Sequence, residues 1–166
     1  VGKTFSTHDA VDAVSFTGSA AVGETVGDQA KETDKRVQLE MGGKNPVVVM
    51  DSADVDDAVD IAAAGAFGVT GQACTATSRA IVHEDLYDEF VAGVVDSAES
   101  ITIGPGLNGA DMGPHVSQSE LESTLEYVDI GVDEGATLET GGSEADAETA
   151  YGIARRALLR CQNETD

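Results

Sequence analysis

A run without a single polar side chain, Val47-Val48-Val49-Met50, lies between Gly42-Gly43 and Asp51-Ser52. Its shortness and its β-branched residues read as a buried strand. Asp51 or Ser52 is placed to cap a helix directly after it. In that helix Val55, Ala58, Val59, Ala62 and Ala66 recur at i, i+3 and i+4, while Asp54, Asp57 and Asp60 take the wet side. The same alternation extends in both directions. Ala13 to Phe16 reads as a short strand, about Ala20 to Lys31 as a helix, and Arg36 to Met41 as a strand. Arg79 to His83 is a strand, and Asp85 to about Ser100 a helix burying Leu86, Phe90, Val94 and Ala98. Ile103-Gly104-Pro105-Gly106 and Met112-Gly113-Pro114 break the chain. Ser117-Gln118-Ser119-Glu120 has the capping-box pattern and opens a helix with Leu121, Leu125, Val128 and Val132 inward, closed by Gly135. A strand from Ala136 to Glu139 ends at Gly141-Gly142. Helix and strand alternating throughout predict an α/β fold.

The first residues, Val1-Gly2-Lys3-Thr4, match the end of a GxxxxGK[ST] phosphate loop, but Phe5 to Asp12 does not read as the amphipathic helix such a loop opens. His8 reads as structural, Arg79 as an anchor and His83 as a solvated strand end. Cys74 and Cys161 show no CxxC or His-rich spacing, so neither a disulfide framework nor a zinc site is indicated.

At 166 residues the chain is long enough for one domain with a sizeable core. Its net charge is −22, from 31 acidic against 9 basic residues, a surface that repels nucleic acid and anionic membranes. The acid is spread along a chain that is 41% hydrophobic, which argues against disorder. Abundant acid with little lysine is the surface of a salt-adapted cytoplasmic protein, where concentrated cation screens the repulsion. It predicts a haloarchaeal source and weak folding in low salt. No apolar run reaches the roughly 18 residues of a transmembrane helix, and the first residues do not form a signal peptide.

Two stretches carry chemistry. Gly71-Gln72-Ala73-Cys74-Thr75-Ala76-Thr77-Ser78-Arg79 sets a cysteine among small and hydroxylated residues. That setting leaves a thiol approachable and supplies N–H and hydroxyl donors to a thiolate nucleophile. The alternative is a small buried hydrophobe, the usual place of a free cysteine. Val37-Gln38-Leu39-Glu40-Met41-Gly42-Gly43-Lys44-Asn45-Pro46 sets a lone carboxylate among Leu39, Met41 and two glycines. Apolar surroundings raise a carboxylate's pKa towards the range of a general base. The alternative is an exposed acid at a strand end.

Taken together, LEMGGKNP followed by GQACTATSR resembles the aldehyde dehydrogenase superfamily. Its signature glutamate precedes the nucleophilic cysteine by the interval between Glu40 and Cys74. The resemblance implies that residues 1–42 are the end of a dinucleotide-binding, Rossmann-like domain. It implies further that 43–150 belong to the α/β catalytic domain and 151–166 form a divergent tail. Phe16-Thr17-Gly18-Ser19, with Glu40, Met41 and Gly42, would lie against NAD or NADP; the GxGxxG fingerprint is absent, and this family does not rely on it. Cys74 would attack an aldehyde, its backbone N–H and an asparagine from an earlier segment would hold the oxyanion, and hydride would pass to the nicotinamide. Glu40 would activate the water that hydrolyses the thioester, favouring hydrolysing members over those that acylate coenzyme A.

The resemblance covers about Phe5 to Gly142, roughly a third of a complete enzyme, and lacks the EEIFGP motif that grips the nicotinamide ribose. GVTGQACTATSR looks like members acting on semialdehydes such as 2-oxoglutarate semialdehyde. A dimer or tetramer is implied for the complete protein. From Tyr151 the text departs: Arg155, Arg156 and Arg160 gather in a tail read as frameshifted or substituted, or else as a solvated basic helix. The alternative function is a truncated, inactive remnant of such an enzyme.

Overall fold

The computed structural model describes residues 1–145 and the backbone of two short strands at 153–154 and 158–160. The chain divides into two compact units, Val1–Lys44 and Asn45–Asp166.

The first unit begins with a short helix, α1 (Gly2–Thr7), followed by strand β1 (Ala13–Gly18), helix α2 (Ala20–Glu32) and strand β2 (Arg36–Met41). β1 and β2 pair in parallel, so α2 is the crossover that a parallel pair requires. The helix α1 departs from the sequence reading, which finds none ahead of His8. It is fixed by packing on α2: Ser6, 1% exposed, donates from its hydroxyl to the Lys3 carbonyl and to the Gln29 side chain.

The second unit opens with another parallel crossover: strand β3 (Asn45–Val49), helix α3 (Val55–Phe67) and strand β4 (Thr77–Val82). Helix α4 (Tyr87–Ser100), helix α5 (Gln118–Asp133) and strand β5 (Thr137–Thr140) follow. The core gathers Val49, Ala58, Val59, Ala62, Phe67, Phe90, Val94 and Met112 between β3, α3 and α4. Phe90 and Val94, each 4% exposed, contribute about 1.5–3 kcal/mol apiece by burial. The approach of α3 to its neighbours depends on two glycines. A Cβ on Gly93 would fall 2.8 Å from Val59 Cγ2, and one on Gly65 would strike Thr77 Oγ1.

Several details differ from the sequence reading. The apolar run is not buried throughout: Val49 is covered, whereas Val48 and Met50 are 58% and 57% exposed. Alternate residues of a strand face opposite ways, and only one face of the β3–β4 pair packs on the core. The cap of α3 is Asp54, whose carboxylate accepts from Asp57 N–H at 3.1 Å, because a turn over 51–53 carries the chain on before the helix starts. Ser117 does cap α5, accepting from Glu120 N–H at 3.3 Å. Leu121 and Val128 face inward, but Val132, near the helix end, is 45% exposed. Beyond β5, the strand β6 (Glu144–Ala145) pairs antiparallel with β7 (Ile153–Ala154), and β5 pairs antiparallel with β8 (Leu158–Arg160). Strand pairing at Arg160 replaces the solvated basic helix; Arg155, Arg156 and Cys161 lie outside the described residues.

Between α4 and α5 a loop is cinched by one residue pair. Asp111 accepts from the Thr102 backbone N–H at 3.0 Å and from its hydroxyl, while Asp111 N–H donates back to Thr102. Those bonds, the side-chain one first, hold the Asp111 carboxyl below its ordinary pKa. A depressed folded-state pKa contributes stability above the unfolded value that is lost as pH falls through the folded one. Thr102→Val therefore moves the Asp111 titration upward, as followed by carboxyl chemical shift; an unmoved titration refutes the assignment.

Gly93→Ala lowers the thermal midpoint, with overpacking of roughly 1–3 kcal/mol set against the better helix propensity of alanine. Gly106→Ala, with nothing within 4 Å of its Cβ, stays within about 0.5 kcal/mol of the parent. Melts of both variants in molar KCl check the pair.

Candidate functional site

The parallel register sets Phe16 beside Leu39, Thr17 beside Glu40 and Gly18 beside Met41, gathering these predicted positions at the carboxyl end of one strand pair. The backbone turns there into α2 with Ser19 as N-cap. Its side chain makes no capping bond, and Thr17, Gly18, Ser19 and Ala20 are exposed. Beneath the corner lies an apolar floor. A Cβ on Gly18 would come 2.6 Å from Phe16 Cζ, and Met41 packs against Gly23 on α2. Glycine at 18 thus lets the backbone lie on the Phe16 ring. The first amides of α2 face outward with the positive end of the helix dipole, a setting that suits an anionic group. Gly42 follows in the open, with nothing within 4 Å of its Cβ position.

Glu40 does not occupy the apolar setting that its sequence neighbours suggest. Leu39 and Met41 point towards α2, at Gly27 and Gly23. Glu40 projects from the opposite face with Gln38, whose Nε2 donates to its carboxylate at 3.1 Å, and it is exposed. Period-two alternation separates residues that are adjacent in the chain.

Cys74 is exposed, on a turn between α3 and β4. The approach to it is unusual: Val69, Thr70 and Gly71 have φ of 53°, 57° and 61°, the left-handed region that β-branched residues avoid. The side chains of Ala73, Cys74 and Thr75 are exposed, so polar tethers do what packing does not. Asn45 Nδ2 donates to the carbonyl of Cys74 at 2.8 Å and to that of Ala76 at 3.0 Å. Gln72 Oε1 accepts from Val116 N–H at 2.8 Å and its Nε2 donates to the Pro114 carbonyl at 3.5 Å. The buried Thr70 donates to the Gly113 carbonyl at 3.1 Å. Sequence reasoning passed over Asn45, Gln72 and Thr70. The available signal was one carboxamide in each motif, Asn45 after Gly42-Gly43-Lys44 and Gln72 after Gly71.

His83 caps the turn before α4, its Nδ1 accepting from Asp85 N–H at 3.3 Å. Among the described residues no three His, Cys, Asp or Glu side chains group to hold a metal ion, and no helix is long and apolar enough to cross a membrane.

The chain is similar to known proteins in sequence and in fold. An alpha-ketoglutarate semialdehyde dehydrogenase of Haloferax volcanii is 59% identical over 148 residues, 89% of this chain and 30% of that protein. The alpha-ketoglutaric semialdehyde dehydrogenase of Bacillus subtilis is 45% identical over 87% of this chain and 30% of its own length. The chain thus spans about a third or less of the curated relatives it matches. The crystal structure of betaine aldehyde dehydrogenase from Staphylococcus aureus in complex with NAD+ superposes with a TM-score of 0.90 at 34% identity, covering 98% of this chain and 33% of that one. The sequence model of the aldehyde dehydrogenase family matches residues 1–162, a longer span than the Phe5 to Gly142 of the motif resemblance. This chain belongs to the aldehyde dehydrogenase family.

Proposed function

We propose that this chain carries the nucleophile and the general base of an NAD(P)-dependent aldehyde dehydrogenase that oxidises a semialdehyde to a carboxylate. The observation that carries the reading is the presentation of Cys74: an exposed thiol on a loop whose backbone is tethered at both ends. The 59% identity to an alpha-ketoglutarate semialdehyde dehydrogenase supports 2-oxoglutarate semialdehyde as substrate.

Cys74, as thiolate, adds to the aldehyde carbon, forming the carbon–sulfur bond and leaving an oxyanion. The Cys74 backbone N–H is a donor for that oxyanion. A bound nicotinamide dinucleotide would supply the two-electron acceptor for the hydride lost from the former aldehyde carbon, so that the oxyanion collapses to a thioester on Cys74. Phe16, Thr17, Gly18 and Ser19, with Met41 and Gly42, would hold it: the exposed glycine corner and the uncapped start of α2 fit an anionic, flat-ringed ligand. Glu40 then takes a proton from the water that attacks the thioester, the carbon–sulfur bond breaks, and the acid leaves with the Cys74 thiolate restored.

A nitrophenyl ester probes the two residues without cofactor. On a Cys161→Ser background in molar KCl, acylation of Cys74 gives a burst of nitrophenolate followed by a slower steady phase. Cys74→Ala loses both. Glu40→Gln keeps the burst and slows the steady phase about 100-fold, the scale of a lost general base. Iodoacetamide labels Cys74 faster than a free cysteine, at a rate that NAD alters. Absence of a burst, with labelling at the free-thiol rate and indifferent to NAD, would sink the proposal.

A further inference from the structure

The Cys74 loop has almost nothing apolar to hold it, yet both peptide planes flanking the cysteine are fixed. The plane between Ala73 and Cys74 is set by Ala76 N–H, which donates to the Ala73 carbonyl at 3.0 Å. The plane between Cys74 and Thr75 is set by Asn45, which donates to the Cys74 carbonyl at 2.8 Å. Peptide groups are rigid, so fixing both planes fixes φ and ψ of Cys74 and leaves only the rotation about Cα–Cβ. It also fixes the direction of the Cys74 N–H. The second Asn45 bond, to Ala76 at 3.0 Å, closes the far side of the turn, and Gln72 grips residues 114 and 116 on the near side.

We propose that Asn45 and Gln72 are positioning residues for Cys74: their carboxamides clamp the loop from two sides and preset the directions of the thiol and of the adjacent N–H. This rests on Cys74 being the nucleophile. Neither carboxamide is required to touch substrate. Their task is to hold the attack geometry before substrate arrives, where small misplacements are costly to rate. A carboxamide suits it because one Nδ2 offers two donors in fixed directions, enough for two carbonyls of a single turn.

The test uses the full chain on a Cys161→Ser background in molar KCl. Asn45→Asp keeps the shape of the side chain but removes both donors and sets a charge against two carbonyls. Gln72→Glu keeps the acceptor for Val116 and removes the donor to Pro114. Gln118→Glu, on a surface residue whose side chain donates along its own helix to Glu122, is the charge-matched control. Two quantities are read: hydrogen exchange of the amides at 73–77, and the rate of Cys74 labelling by iodoacetamide.

In Asn45→Asp, loop exchange quickens about tenfold or more, the scale of one or two lost hydrogen bonds, and the labelling rate shifts at least about threefold. Gln72→Glu moves both in the same direction by less, and remains informative should Asn45→Asp fail to fold. Gln118→Glu moves neither. Loop exchange no faster than in the control overturns the proposal. So does a loosened loop with unchanged labelling, which leaves the tethers merely structural. A parent Cys74 that labels like a free thiol would instead remove the nucleophile reading, and it is distinguishable because the exchange response is measured separately.

Discussion

The parallel pairing of β3 with β4 decides where Cys74 falls. Two parallel strands cannot be joined by a hairpin, so the chain must climb back along α3 and re-enter at the amino end of β4. The register sets Asn45 beside Thr77, which brings the residues just ahead of β4 alongside the start of β3. A side chain at position 45 can therefore reach the carbonyls of 74 and 76, and no other position on β3 is so placed. The return itself is possible because α3 sits close: Gly65 clears Thr77, Gly93 clears Val59, and the α3 stripe of Ala58, Val59 and Ala62 is buried. Core packing and loop placement are thus one problem in this unit.

Support reaches the loop from a second direction. Thr102 and Asp111 cinch the segment after α4, Met112 locks it into the core at 2% exposure, and the next carbonyls, of Gly113 and Pro114, receive Thr70 and Gln72. At the first of these anchors Val69 and Thr70 hold left-handed backbone, which costs about 1–2 kcal/mol per L residue. Such conformations persist where the surroundings over-determine them. Here they have that over-determination: a buried hydroxyl on one side and a doubly bonded carboxamide on the other.

The sequence conveyed the strands and helices because periodicity is local. Arg36–Met41 is a strand with the bounds its pattern predicts, and α2 ends within one residue of them. It left Cys74 between an approachable thiol and a small buried hydrophobe, and the run of small residues around it, which buries little, leaves it exposed. It left Glu40 open between an apolar setting and an exposed strand end; the second holds, because adjacency in a chain is not adjacency on a strand and Leu39 and Met41 lie on the other face. It missed α1, whose six residues are stabilised by Gln29 far along the chain. It could not have shown the Asn45 tether, which spans 29 residues and exists only once the register does.

The charge distribution adds a condition on all of this. Asp54, Asp56 and Asp57 begin α3, Asp88 and Glu89 begin α4, and Glu120 begins α5, where helix dipoles favour anions by about 0.3–1 kcal/mol each at low salt. The other ends run against the dipole. The last turns of α3, α4 and α5 carry no basic residue, and Glu99 and Asp133 stand at the carbonyl ends of α4 and α5. Salt at about 1 M shortens the screening length to roughly 3 Å and weakens the favourable and unfavourable dipole terms alike. It does not cancel the contact hydrogen bond from Asp57 N–H to Asp54, and it removes the longer-range repulsion of a chain at −22. Concentrated salt therefore screens repulsion while leaving contact hydrogen bonds in place, the one from Asn45 to the Cys74 carbonyl among them.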